Sequence, residues 1–172
     1  LMLCALALSA SGCDGADLGT DNLIRPPKTV GDEAEIEQLI ADTAGSGYTL
    51  KYPKSGNYRS AIVMKDLDFD GTDEAIAFYR TASENKAEVH MLVMYCANGG
   101  WKLSENCTID ATDVDCVDFA DVTGNGTLEI LSGYTTYNSS VNNLACHSYL
   151  GGKTTGLTVE SSYSSFYCAD FD

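Results

Sequence analysis

The chain has 172 residues and a formal net charge of −15 at pH 7, from 25 Asp and Glu against 10 Lys and Arg. A balance of that sign disfavours nucleic acid and anionic lipid surfaces as partners and favours cations. The acids gather in short clusters at 66–74, 121–129 and 170–172.

The chain opens on "LMLCALALSASG", residues 1–12, which is apolar or small throughout and carries no charge. It is too short to span a bilayer as a helix and reads as a signal-peptide remnant whose basic start is missing. Ala10-Ser11-Gly12-Cys13 resembles a bacterial lipobox. The resemblance implies a lipid on Cys13 and a mature protein anchored to the outer, extracellular face of the bacterial cytoplasmic membrane. An ordinary secretory signal cut nearby is the alternative. Residues 14–30, polar with Gly and Pro26-Pro27, read as a flexible tether behind Cys13.

Between 31 and 47 the pattern is helical. Ile36, Leu39 and Ile40 recur at helical spacing, and Asp32, Glu33 and Glu35 crowd the first turn, where acids suit the helix dipole. One short amphipathic helix is expected at about 32–44.

From Tyr48 onward the helical period disappears. Four β-rich runs follow, "YRSAIVMKD", "EAIAFYRT", "EVHMLVMYC" and "WKLSENCTI", the last two joined by an Asn-Gly hairpin turn at 97–100. Four more come after them: "VDCVDFADV", "LEILSGYTTY", "NNLACHSYL" and "KTTGLTVESS". An acidic loop sits between the first and second run of each set. Asp66-x-Asp68-x-Asp70-Gly71-x-x-Glu74 recurs as Asp121-x-Thr123-x-Asn125-Gly126-x-x-Glu129, and Asp170-x-Asp172 begins a third copy. Self-similarity at this length, with four strands per unit, marks propeller blades. The expected fold is all-β: a partial β-propeller of four-stranded antiparallel blades with one short N-terminal helix. Residues 48–110 form the first blade, 111–162 the second, and 163–172 the start of a third. About two blades and a fraction cannot close a ring, so the sequence reads as a fragment at both ends.

Like charges packed this closely repel unless a cation lies among them. Calcium takes six to eight oxygens from carboxylates, amide oxygens, backbone carbonyls and water. In a tight loop the side chains at positions 1, 3 and 5 converge on one centre. Glycine at position 6 makes the sharp turn, and the carbonyl at position 7 faces the ion. An EF-hand would need an acid at position 12 and flanking helices; Ala77 stands there, between strands.

The loops, and "DLDFDGTDEAI" above all, resemble the strand–loop–strand calcium repeats of the FG-GAP and VCBS type over residues 58–172. With "RPPK" and "YTLKYPKSGNYRSA", the mature chain also looks like the helix-then-propeller lipoproteins of gut clostridia. The resemblance implies Ca2+ held by Asp66, Asp68, Asp70 and the carbonyl of Thr72. Glu74, at the ninth position, either ligates directly or braces the loop. The second site would use Asp121, Thr123, Asn125, the carbonyl of Thr127, and Glu129. It offers two formal charges against four, and a turn without metal is the alternative there. Asp170 and Asp172 would open the third.

Of the seven cysteines, Cys4 falls in the signal and Cys13 at the anchor. Cys96, Cys107, Cys116, Cys146 and Cys168 form no CxxC or zinc spacing and are expected as buried free thiols. His90 and His147 lie in expected strands, Asp113 and Asp115 read as a solvated pair, and no nucleophile or phosphate motif appears. The function expected is therefore a non-enzymatic, monomeric cell-surface module that binds a protein or carbohydrate ligand and no nucleic acid. A propeller-type polysaccharide lyase or hydrolase and a calcium-stiffened structural spacer are the alternatives.

Overall fold

A computed structural model describes residues 31–81, 88–137 and 140–165. The expectations that fall on 1–30 and 166–172, among them lipidation of Cys13, the thiol Cys168 and the ligands Asp170 and Asp172, lie outside the described residues. Among the described residues no helix is long and apolar enough to cross a membrane.

The described residues are mostly β, with two antiparallel sheets and one helix. Helix α1, Asp32–Ala44, ends where Gly45 turns to φ 73° and returns its N–H to the Ala41 carbonyl at 3.0 Å. The first sheet comprises β1 (Tyr48–Lys51), β2 (Ile62–Lys65), β3 (Glu74–Thr81), β4 (Glu88–Ala97) and β5 (Gly100–Asp110). The second is a four-stranded meander of β6 (Asp113–Ala120), β7 (Glu129–Thr135), β8 (Asn142–Leu150) and β9 (Lys153–Tyr163).

β1 and β2 are two halves of one strand. Lys51 pairs with Phe78 and Ile62 pairs with Ala77, so the halves lie end to end along β3. Residues 52–61 leave the sheet between them. The expected first strand, "YRSAIVMKD", is therefore corrected to its second half, and β1 supplies the rest. Both tight hairpins place two residues at positive φ, Asn98-Gly99 in one and Gly151-Gly152 in the other. That backbone matches the twist of the strands it joins.

Strand alternation divides β3 and β4 between two cores. Ile76, Phe78, Val89, Met91 and Val93 face the second sheet and meet Val117, Phe119, Ile130, Tyr134 and Tyr149. Ala75, Ala77, Tyr79, Leu92 and Met94 face the other way, against Ile36 and Ile40 of α1. Covered on both sides, β3 is buried from Glu74 through Tyr79. This explains why it reads as a nearly continuous apolar run.

The 52–61 excursion crosses to the second sheet. Ser55 donates its N–H to the Asp115 carbonyl at 2.8 Å, and Tyr58 packs edge-on against Phe119 with ring centroids 4.9 Å apart. Asp115 is available because β6 bulges there: Val114 faces Tyr134 and Cys116 faces Gly133, leaving Asp115 without an opposite residue.

Candidate metal centre

The loops joining β2 to β3 and β6 to β7 repeat one backbone. Positive φ falls at Phe69 (57°) and Gly71 (88°) in the first, and at Gly124 (69°) and Gly126 (85°) in the second. These are positions 4 and 6 of each copy. Gly71 donates its N–H to Asp66 Oδ2 at 3.0 Å, as Gly126 does to Asp121 Oδ2 at 2.9 Å. Thr72 donates to Asp70 Oδ1 at 2.7 Å, as Thr127 does to Asn125 Oδ1 at 2.8 Å. The position-9 glutamates are both buried, Glu74 at 3% exposure and Glu129 at 0%.

The chemistry at the two centres then diverges. In the first loop, one oxygen from each of Asp66, Asp68 and Glu74 lies within 4.8 Å of the others. Two ligands of one calcium ion, each at about 2.3–2.6 Å, lie at most roughly 5 Å apart. Asp66 Oδ1 and Asp68 Oδ1 are inaccessible and accept no hydrogen bond. Buried carboxylate oxygens without donors are costly, and a cation between them removes that cost. The donor set is all hard oxygen, which suits calcium better than zinc.

Glu74 braces the loop and stands where a ligand would. Its Oε2 accepts the Leu67 N–H at 3.0 Å, which braces the loop, and its carboxyl also belongs to the converging set. Burial pushes that carboxyl up to about 7, and the charges of Asp68 and Asp70 add to the rise. The Leu67 N–H and the Tyr149 hydroxyl offset part of it. Asp70 stands outside the three-carboxylate cluster and caps the Thr72 N–H.

The second loop satisfies itself. Glu129 accepts the N–H groups of Val122 and Thr123 at 2.9 and 3.1 Å, and the Thr123 hydroxyl at 3.0 Å. Asp121 accepts Asn125 and Gly126 N–H groups, and Asn125 Oδ1 accepts both the N–H and the hydroxyl of Thr127. Thr123 and Glu129, expected as ligands, are thus tied to each other inside the loop. Among the described residues, three-carboxylate convergence occurs at the first loop alone.

The two loops touch. Leu128 donates its N–H to the Leu67 carbonyl at 2.7 Å, and Gly151 in the β8–β9 turn donates to Asp68 Oδ2 at 3.3 Å. The first centre is therefore built partly by the second sheet, through Gly151 and Tyr149. The sequence carried no signal for these two residues, because they lie far from the loop along the chain.

His90 stacks on Tyr79 with centroids 4.6 Å apart, and His147 is buried between the sheets, where burial depresses its basicity against the opposing charge of Glu105. Asp113 is not a solvated partner of Asp115. It takes Lys54 at 2.7 Å and Lys51 at 3.5 Å, which outweigh its partial burial and hold its carboxyl below the usual range. Cys116 and Cys146 are buried free thiols as expected, Cys107 is half-buried, and Cys96 is exposed. The alternation of β4 turns Cys96 outward near the hairpin. No family model, curated protein or solved structure matches the chain.

Proposed function

We propose that this chain is a calcium-braced repeat module of the FG-GAP/VCBS type. In this reading its two sheets are successive propeller blades, and it is carried on the cell surface by a lipid at Cys13. It acts as a non-enzymatic binding or adhesion unit for a protein or carbohydrate ligand. The observation that carries the reading is the convergence of Asp66, Asp68 and Glu74 with two buried, donorless carboxylate oxygens, inside a loop whose backbone recurs at 121–129.

The stacking of the units supports the propeller part. Leu67 is fully buried, whereas its counterpart Val122 is 55% exposed. The second unit thus presents the surface that it covers on the first. The differing chemistry of the loops points to one strong ion site and a second loop that holds its shape by hydrogen bonds.

The test is calorimetric titration of calcium into chelator-stripped protein, alongside Asp68→Ala and Thr123→Ala variants. One dominant site, lost in Asp68→Ala and kept in Thr123→Ala, is the expected result. Absence of saturable calcium binding at millimolar concentration rejects the reading.

A further inference from the structure

A second polar cavity, independent of the metal centre, lies where the 52–61 excursion meets the bulge of β6. It has a volume of about 220 Å³ and is lined by Ser55, Gly56, Asp115, Asp118, Asn142 and Tyr163, among others. The carboxylate of Asp115 is held in a fixed pose from three directions. Tyr163 donates to Oδ2 at 2.7 Å and Asn142 Nδ2 to the same oxygen at 2.9 Å, while the Ser55 hydroxyl shares its one proton between Oδ1 at 3.3 Å and the Asp115 carbonyl at 3.2 Å. Cys116 adds a weak thiol contact at 3.6 Å.

Every one of these donors is neutral. Burial pushes the Cys116 thiol up to about 11 and the Tyr163 phenol higher still, so both keep their protons. Asp118 accepts the Phe119 N–H through Oδ1. Among the described residues, no Lys, Arg or His lines the cavity, and neither Asp115 nor Asp118 takes part in an ion pair. The nearby basic groups are engaged elsewhere: Lys54 holds Asp113, and Arg59 folds back onto the Gly56 carbonyl at 3.1 Å. Among the described residues the pocket therefore holds two carboxylates without a cationic partner, Asp115 fixed in place, inside a wall of hydroxyl and amide groups.

We propose that this cavity binds a small aliphatic amine, with its ammonium group on Asp115 and Asp118 and its alkyl stem in the remaining volume. An ammonium supplies the positive charge that the lining lacks, and its three N–H donors suit carboxylate and hydroxyl acceptors. The Asp115 donors keep the carboxylate aimed before the ligand arrives, which lowers the cost of ordering the site.

The test is calorimetric titration of 1,5-diaminopentane into the full chain at about 0.15 M salt, which screens long-range attraction to the net charge. The uncharged 1,5-pentanediol is the shape control. Saturable binding of the diamine and not of the diol is expected. Asp118→Asn, which keeps the bond to Phe119, should weaken binding about tenfold. Asp42→Asn on α1, with the same change in net charge, should leave it unaltered. Amide NMR shifts should centre on residues 55–56 and 115–118. Absence of saturable diamine binding, equal binding of the diol, or equal weakening by Asp42→Asn overturns the proposal. So does displacement of the diamine by calcium in a manner lost with Asp118→Asn, since the cavity would then be an inorganic cation site.

Discussion

The backbone N–H of Leu128 meets the carbonyl of Leu67 at 2.7 Å, joining the eighth position of the second acidic loop to the second position of the first. Through this bond and the Gly151–Asp68 contact, the ordering of one loop bears on the packing of both sheets. Filling the first centre should therefore stabilise the whole pair of sheets. At calcium tenfold above Kd the gain is about 1.4 kcal/mol. For a chain of this length that corresponds to roughly 3–6 °C in Tm. Melts with calcium and with chelator measure it, and coincident melts would contradict it.

Glu74 gives that gain a pH dependence with a defined sign. Its carboxyl is pushed from 4.5 up to about 7 in the metal-free fold, chiefly by burial. The folded state then holds a proton that the unfolded chain has released. This contribution is fully present below about 4.5 and is lost as pH rises through 7. Calcium needs the carboxylate, so binding expels the same proton. The Tm difference between calcium and chelator should widen from pH 6 to pH 8, and Glu74→Gln should flatten it. A difference that is constant across this range in the unsubstituted chain would contradict the placement of Glu74 in the site.

Glu129 should behave differently. It is fully buried and accepts three hydrogen bonds. Glu129→Ala removes the acceptor shared by these donors and leaves a hole, at a cost of about 2–4 kcal/mol. The loss should be the same with and without calcium. A calcium-dependent loss that persists when the first centre is removed by Asp68→Ala would show instead that the second loop holds metal.

Phe69 stands at φ 57° where the second loop has Gly124 at 69°, and its side chain is 62% exposed. A bulky residue costs about 1–2 kcal/mol in this left-handed region, and asparagine tolerates it better. Phe69→Asn should raise stability by about 0.5–1 kcal/mol without weakening calcium binding, read by denaturant midpoints and titration. A drop in stability would mean that the aromatic ring makes a contact that offsets its strain.

Gly133 has no room for a methyl group. A Cβ there would collide with the Tyr163 hydroxyl and lie 2.7 Å from Cys116 Sγ. Gly133→Ala should cost about 1–3 kcal/mol by forcing Tyr163 off Asp115. Gly156→Ala, whose nearest neighbour would be His147 Cδ2 at 3.6 Å, should be far milder. Equal melting of the two variants would contradict the placement of Tyr163.

The elements visible in the sequence were those fixed locally. Acids in the first turn and the Ile36/Ile40 spacing marked α1, and Asn98-Gly99 marked a hairpin. Alternation and turn residues marked eight strand runs. The loops were legible because their geometry depends on glycines and oxygens within nine residues. What stayed hidden depends on distant pairing. β1 is four residues long and is a strand only because β3 is longer than β2. The bulge at Asp115 follows from its partner strand. The satisfied state of Glu129, against the unsatisfied oxygens of Asp66 and Asp68, follows from which neighbouring N–H groups reach each loop.

The divided strand also determines where this fold can be cut and joined. Lys51 and Ile62 pair with adjacent residues of β3, and Leu50 and Ile62 both pack on the α1 side while Val63 packs on the other. Removing residues 52–61 would leave a strand already in register and correctly alternating. The excursion is thus a graft on a complete sheet, and the register of β3 does not depend on its length. What a change in it touches lies on the second sheet: the grip on Asp115, the Lys54–Asp113 ion pair, the packing of Tyr58 on Phe119 and the shape of the cavity beneath.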